Sequence, residues 1–183
     1  SKVAFLSFTN LYPKALEADL DSLGISDFNA MQEAVSSLKS SGRADIIIVL
    51  LHWGVEYQAK SSPWQQDVAH QLADAGADLI IGTHPHVAQE VEYYSSFSKG
   101  GGAKGDGGFE TKSLTASGPL PLGKGEGYIA YSLGNFVFDQ NFSEETMQGL
   151  MVEATIKDKK IIDFKEIPIQ LTPTFQPYIF DTE

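Results

Sequence analysis

Two short apolar runs joined by one helical stretch constrain the fold of this chain more than any other feature of its sequence. Residues 45–51 are apolar on both faces, which is typical of a central strand covered by helices, and residues 78–81 form a second buried run. Between them, residues 62–65 supply a serine N-cap, a proline in the first turn and a glutamine that closes a capping box, and Gly76 ends the helix. This pattern predicts a strand–helix–strand unit with parallel strands and a right-handed crossover.

The segment before this unit predicts one more strand and one more helix. Residues 2–8 have strand character, and residues 28–41 repeat apolar side chains at steps of three and four, as an amphipathic helix does. Asp27 is the expected N-cap of this helix and Gly42 its end. Residues 14–26 are ambiguous and predict no more than a helical turn. The fold class is therefore α/β, with a parallel β-α-β-α-β unit.

The second helix carries His70, one of the four histidines of the chain. Its buried stripe is expected to consist of Trp64, Val68, Leu72 and Ala75. His70 lies on the opposite face in this phase, so we expect a solvated helix histidine and leave it out of the candidate site.

The chain changes character after the second apolar run. Residues 87–94 alternate weakly and predict a short strand. Residues 95–127 are then dominated by Gly, Ser, Lys and Pro, a composition that buries too little apolar surface to order itself well. This stretch is either a mobile flap beside the site or a plain insertion, and we expect it to lie within a single domain that spans residues 1–183.

The last third of the chain predicts antiparallel β structure. Residues 127–133 return to strand character, and residues 149–156 and 160–167 flank a short loop as the two strands of a hairpin do. The tail, residues 172–183, is expected to wrap around the surface.

Three of the four histidines follow directly on the apolar runs. His52 ends the first run, and His84 and His86 flank a proline just past the second. The carboxyl ends of the strands are where open α/β sheets bind ligands, and imidazole is the commonest metal ligand. The histidines therefore either converge on a metal or decorate a surface turn. The chain has no cysteine, so further ligands would have to be Asp, Glu or Asn.

Charge and motifs exclude several classes of function. The net charge of -11 argues against nucleic-acid binding and would repel a polyanionic substrate unless cations occupy the site. Neither a phosphate-binding glycine loop nor a serine nucleophile elbow is present, and covalent catalysis by Ser or Cys is therefore poorly supported. No apolar stretch is long enough to span a bilayer, and no signal peptide is visible. We expect a mature form, a trimmed form or a fragment.

Side chains near the histidines offer two further candidates. Glu56 is either a general base or substrate contact, or an ordinary solvated carboxylate. Asn135 follows a glycine in a strand-end turn and either hydrogen-bonds a substrate or a histidine, or caps the turn. Glu90 and Asp139 have no spacing that marks them as ligands.

Three motifs in order resemble one family. Residues 51–57, 75–87 and 131–140 closely resemble the CapA, or poly-γ-glutamate capsule biosynthesis, family, which belongs with the calcineurin-like metallophosphoesterases. The resemblance implies the C-terminal half of a four-layer α/β/β/α sandwich with a dinuclear centre of Mn, Fe or Zn. His52 and His84 would then ligate one metal and His86 the other. The resemblance also implies that Glu56 is catalytic. It implies four substrate-binding side chains: Trp53, Tyr57, Asn135 and Phe136.

The family's first half carries Gly-Asp, Glu-bearing and Asn-Asn-His motifs that this sequence lacks. The resemblance therefore implies that a separate N-terminal half or a second copy completes the centre. Two functions follow. One is a metal-dependent hydrolase of a phosphoester or a γ-glutamyl amide in an anionic polymer. The other is a non-catalytic component that binds capsule polymer or a membrane capsule synthase complex. Either implies the bacterial cell surface, with the complete protein anchored or extracytoplasmic and its anchor outside this chain.

Overall fold

The computed structural model describes residues 1–11, 28–95 and 126–180 of the chain. The elements in these ranges, in chain order, are β1 (Val3–Thr9), α1 (Phe28–Ser40), β2 (Ile46–His52), α2 (Pro63–Ala75), β3 (Leu79–Thr83), β4 (Val91–Ser95), β5 (Glu126–Ala130), a 3₁₀ turn (Glu145–Met147), β6 (Gln148–Lys157), β7 (Lys160–Leu171) and β8 (Pro177–Ile179). The Asp27 cap, the helical turn within 14–26 and nearly all of the 95–127 insertion lie outside the described residues. The single domain over 1–183 stays a prediction.

The main sheet has the strand order β1-β2-β3-β5-β4. Strands β1, β2, β3 and β5 are parallel, and β4 lies antiparallel to β5 at the edge. The predicted parallel unit is therefore confirmed. The expectation that all later strands are antiparallel is wrong for β5, which pairs Tyr128 with Leu79 of β3. A strand's own residues do not encode which strand it joins, and β5 fills the place between β3 and the edge.

Both helices form where the sequence predicts them. In α1, Met31 and Val35 are buried. In α2, the capping box between Ser62 and Gln65 is formed, and Gly76 ends the helix at φ 117°, a left-handed conformation that glycine adopts without strain.

The buried face of α2 differs from the predicted stripe. Trp64 is 42% exposed and Ala75 is only half-buried, whereas Gln65 is buried. The face that packs on the sheet follows the spacing of an α-helix with a different phase: its buried members are Gln65, Val68, Ala69, Leu72 and Ala73. Gln65 is tolerated there because its amide is hydrogen-bonded on both sides.

This phase also places His70 against β4 instead of in solvent. Its Nε2 lies 2.9 Å from a carboxylate oxygen of Glu92, and its ring stacks on Tyr94 at 4.3 Å between centroids. The prediction of a solvated histidine is therefore wrong. Its exclusion from the histidine cluster agrees with this position.

The second sheet is antiparallel, in the order β6-β7-β8. The predicted hairpin is confirmed, and its turn residues Asp158 and Lys159 both have positive φ. The tail does more than wrap the surface, because β8 pairs with the end of β7, Ile179 opposite Ile169.

Three layers follow from this packing. The helices cover one face of the main sheet, and the β6–β7 hairpin covers part of the other. Tyr128 of the main sheet and Phe164 of the hairpin stack with ring centroids 4.5 Å apart. This mixed architecture is consistent with half of a metallophosphoesterase-like sandwich, and it leaves the carboxyl ends of β2 and β3 free for a site.

Candidate metal centre

The three candidate histidines meet at the carboxyl ends of β2 and β3. His52 is the last residue of β2 and pairs with Thr83, the last residue of β3. The turn that follows carries His84 and His86. The ring centroids of His52 and His84 lie 4.9 Å apart, and those of His84 and His86 lie 6.0 Å apart. Parallel pairing thus gathers side chains that lie more than 30 positions apart in the sequence.

The backbone at this cluster is strained. His84 has φ 101°, His86 has φ 60° and Tyr57 has φ 62°. Such conformations cost a non-glycine residue about 1–3 kcal/mol and concentrate at functional sites. The surrounding structure must enforce them, and one contact that does so is the hydrogen bond from the Tyr57 N–H to the Pro85 carbonyl, at 2.8 Å.

Glu56, His84 and His86 offer one ligand atom each within 4.8 Å of one another. The Glu56 carboxylate makes no hydrogen bond or salt bridge with the residues that the structure describes. Burial lowers the pKa of His84. The neighbouring His52 and His86 lower it further, and the Glu56 charge opposes them. His84 therefore stays neutral at pH 7 and keeps a lone pair for a metal.

This donor set suits a divalent transition metal. Two imidazoles and one carboxylate are the ligands of many zinc sites that keep an open coordination position, and manganese and iron accept the same donors. The cluster differs from the arrangement that the family resemblance implies, because Glu56 joins His84 and His86. His52 lies beside His84.

Neighbouring side chains fix which nitrogen of two histidines is available. Asn135 Nδ2 donates to the Thr146 carbonyl at 2.9 Å, so its Oδ1, 2.9 Å from His86 Nδ1, accepts a proton from that nitrogen. The Thr83 hydroxyl donates to the Leu51 carbonyl and lies 3.3 Å from Nδ1 of His52. In the neutral form of either ring, these contacts place the proton on Nδ1 and leave Nε2 as the nitrogen that could ligate a metal.

Of the alternatives that the sequence left open for Asn135, the structure shows the hydrogen bond to a histidine in place of the substrate contact. The side chain is buried, and both ends of its amide bind protein atoms. Asn135 therefore orients His86 and does not face a substrate.

Trp53 also lies away from the pocket. It is fully buried, donates from Nε1 to the Tyr131 carbonyl at 2.9 Å and stacks on the Tyr131 ring. The predicted substrate contact is corrected because successive side chains at a strand end point to opposite faces. Gly82 leaves room for this contact, since a Cβ there would lie 2.3 Å from Trp53 Nε1.

An exposed aromatic rim borders the histidines. Tyr57 is 42% exposed and stacks on His86. Phe136 is 52% exposed and follows Asn135 in the chain, and the substrate contact of both aromatic residues stays a prediction. Two rim members escaped sequence reasoning. The Phe138 ring lies 4.8 Å from that of His86, and the Phe142 ring lies 5.0 Å from that of Tyr57. The only available signal was the density of phenylalanine after residue 135.

Of the other carboxylates, Glu90 lies outside the three-residue cluster and accepts hydrogen bonds from Ser61.

Within the described ranges, no helix combines the length and apolarity needed to cross a membrane.

Comparison with known proteins gives a consistent picture. Residues 1–140 match the family model described as bacterial capsule synthesis protein PGA_cap. The chain is 30% identical over 174 residues to the capsule biosynthesis protein CapA of Bacillus anthracis, which covers 93% of this chain and 35% of that protein. It is 30% identical over 171 residues to the PGA biosynthesis protein CapA of Bacillus subtilis (strain 168), covering 92% of this chain and 36% of that protein.

A shorter match extends to another genus. Over 61 residues, the chain is 34% identical to a probable polyglutamine synthesis accessory protein of Mycobacterium tuberculosis, which covers 33% of this chain and 16% of that protein. The chain spans about a third of the length of the two CapA proteins. With a family model that matches more than half of its residues, the chain belongs to the bacterial capsule synthesis protein PGA_cap family.

Proposed function

We propose that this chain supplies a divalent-metal site to a bacterial protein of poly-γ-glutamate capsule biosynthesis. The single observation that carries the metal site is the cluster of Glu56, His84 and His86, whose ligand atoms lie within 4.8 Å of one another. The capsule role is supported by family membership and by the names of the two CapA proteins. A capsule role also implies association with the cell envelope.

The favoured chemistry is metal-assisted hydrolysis of a phosphoester or a γ-glutamyl amide. A bound divalent metal would polarise the scissile group and lower the pKa of a coordinated water. The chain's own residues would prepare that site: Asn135 orients His86, His84 stays neutral, and Tyr57 borders the histidines, with Phe136 as the second aromatic residue that we expect to meet the substrate. Bound cations would also offset the net charge of -11 for an anionic polymer.

The ligand set of this chain is partial. Glu56, His84 and His86 supply three donors, with His52 beside them, whereas a two-metal centre needs a bridging carboxylate and further ligands. Since the CapA proteins are about three times as long as this chain, we expect the remaining donors to come from an N-terminal portion or from a second copy.

A non-catalytic role is the second candidate. The exposed aromatic side chains beside the histidines would suit a surface that binds polymer or a synthase. The mycobacterial relative is named an accessory protein, which also supports this role. Both candidates use the same cluster, but only the first requires turnover.

The deciding experiment measures metal content and hydrolysis together. Elemental analysis of the purified chain and of its His84→Ala variant tests the site, and the same pair is assayed in a form that carries the N-terminal portion found in the relatives. Metal that is lost in the variant, together with loss of hydrolysis of a poly-γ-glutamate or phosphoester substrate, supports the hydrolase. Metal without hydrolysis in the longer form favours the accessory role, and absence of metal from both forms contradicts the metal site.

A further inference from the structure

The loop between β2 and α2 carries Glu56 but is not part of the sheet. Residues 54–61 leave the end of β2, form no helix or strand and return at the N-cap of α2. Glu56 is exposed. The position of its carboxylate beside His84 and His86 must therefore come from contacts that fix the backbone of this loop.

One buried side chain makes two such contacts. Gln89 is 5% exposed, and its Nε2 donates to the carbonyls of Gln58 at 2.8 Å and Lys60 at 3.0 Å. Gln89 lies between the histidine turn and β4, so its amide links the loop to a different part of the sheet. The buried group is the Gln89 amide, and a buried polar group that is left without its partner costs about 1–3 kcal/mol.

The orientation of Gln89 is itself fixed. Its Oε1 accepts from Nε2 of Gln65 at 3.2 Å, and Gln65, only 1% exposed, accepts from the Ser62 backbone N–H through its own Oε1. The loop packs directly on this amide pair, because a Cβ at Gly54 would lie 2.9 Å from Gln65 Nε2. The capping box of α2 thus orients Gln65, which orients Gln89.

Two further contacts join the 54–61 loop to residues 85–90. Glu90, next to Gln89, accepts hydrogen bonds from the backbone and hydroxyl of Ser61. Tyr57, next to Glu56, donates its N–H to the carbonyl of Pro85 between the two histidines. The loop is therefore held at its middle through Tyr57 and at its end through Ser61, and Gln89 binds the backbone between these two points.

We propose that Gln89 is a positioning residue of the candidate metal centre, whose buried amide fixes the 54–61 loop so that the Glu56 carboxylate meets His84 and His86. The effect on metal rests on the proposed function, whereas the effect on the loop does not. Gln89 touches neither the histidines nor a ligand in this arrangement and acts only through the backbone that carries Glu56.

The test replaces the amide with an apolar side chain of similar length. In metal-free Gln89→Met, we expect the hydrogen-bonded amides of Tyr57 and Ser61 to exchange hydrogen about tenfold faster than in the wild type, because the loop between them loses its two contacts with Gln89. With Co²⁺ as the probe, we expect the affinity to fall by about 10–100-fold, as for other residues that orient a ligand. In a Glu56→Gln background, Gln89→Met should have little further effect on Co²⁺ affinity.

Lys39→Met is the matched control. It removes a hydrogen-bonded side chain at the opposite end of the sheet, where Lys39 binds Asp78, and should leave both loop exchange and Co²⁺ affinity unchanged. Unchanged loop exchange in Gln89→Met would overturn the proposal, whether or not metal binds. The proposal would also be overturned if Gln89→Met exchanged faster but bound Co²⁺ as tightly as the wild type, while Glu56→Gln showed that this binding depends on Glu56. A wild type that binds no Co²⁺ contradicts the proposed metal site, and the exchange result then decides the role of Gln89 in the loop alone.

Discussion

Two histidine–carboxylate clusters lie on the same main sheet, and they differ in how completely the protein satisfies them. At β4, Glu92 accepts from His70 at 2.9 Å and from the Tyr131 hydroxyl at 2.6 Å. At the carboxyl ends of β2 and β3, Glu56 approaches His84 and His86, yet it has no hydrogen bond or ion pair in the ranges 1–11, 28–95 and 126–180. The first cluster is closed by protein groups, and the second is open.

The backbone shows the same difference. His70 lies within the regular helix α2, whereas His84 and His86 occupy a turn with positive φ. A closed pair on regular structure stabilises the fold, because each polar group already has its partner. In the cluster of Glu56, His84 and His86, which lies on strained backbone, the carboxylate would gain a partner only when a ligand binds. The contrast teaches that a structural cluster differs from a candidate site in whether protein groups hydrogen-bond its carboxylate, more than in the presence of histidine.

The largest expected effect separates the two clusters by metal affinity. We expect His86→Ala to weaken Co²⁺ binding by more than about 100-fold, since it removes a ligand and the bond that Asn135 orients. We expect His70→Ala to leave the affinity unchanged. Isothermal titration of both variants checks this, and equal losses in the two would remove the distinction between the clusters. His52→Ala is expected to behave more like His86→Ala than like His70→Ala.

The next effect tests the contact behind His86. Asn135→Leu removes the acceptor that fixes the His86 tautomer, and we expect about 10–100-fold weaker Co²⁺ binding. Asn135→Asp keeps an acceptor oxygen for His86 Nδ1 but loses the donor to the Thr146 carbonyl, so it is expected to lower stability and yet to bind Co²⁺ more tightly than Asn135→Leu. If Asp and Leu at this position gave the same loss, packing of the side chain and not its hydrogen bond would explain the result.

A smaller effect concerns stability at the closed cluster. Burial raises the pKa of Glu92, but the hydrogen bonds from His70 and Tyr131 outweigh it, so the pKa lies below the ordinary 4.5. A carboxylate with a lowered pKa stabilises the folded state above the unfolded-state pKa, and this contribution disappears as the pH falls through the folded-state pKa. Glu92→Gln is therefore expected to lower the free energy of unfolding by about 1–2 kcal/mol at pH 7.

Urea unfolding of the wild type and Glu92→Gln from pH 7 down to pH 3 checks this expectation. The difference between the two proteins should shrink below about pH 4.5, the ordinary value from which the pKa of Glu92 is lowered. A difference that stayed constant over this range would assign the stability to packing and not to the hydrogen bonds of the Glu92 carboxylate.

The sequence predicted the local elements well because their signals are local. The capping box of α2, the glycine at its end and the hairpin around residues 158–159 depend on neighbouring residues, and all three are present. The gathering of His52 and His84 also follows from local patterns, since two buried parallel strands bring their carboxyl ends to one edge.

Features that depend on distant partners were beyond the sequence. The phase of α2 was misjudged because Trp64 is more apolar than Gln65, and only the partner Gln89 makes burial of Gln65 favourable. The closed cluster was missed for a similar reason, since Glu92 reaches His70 only once β4 has paired with β5. The prediction that the centre binds metal rested on the three motifs that resemble the CapA family, and not on spacing alone.

The smallest effect tests the strain at the open cluster in the absence of metal. At φ 101° His84 occupies backbone that disfavours a side chain, so His84→Gly should relieve strain of about 1–3 kcal/mol, partly offset by the roughly 0.5–1 kcal/mol entropy that glycine adds to the unfolded chain. We therefore expect the metal-free variant to be as stable as the wild type or more stable by up to about 1 kcal/mol. His70→Gly should lower stability, because it weakens a regular helix and breaks the bond to Glu92. Urea titrations of both variants in chelator measure the contrast. A clear loss of stability in His84→Gly would mean that the open cluster contributes to folding as the closed one does, and that the two clusters differ less than their hydrogen bonds indicate.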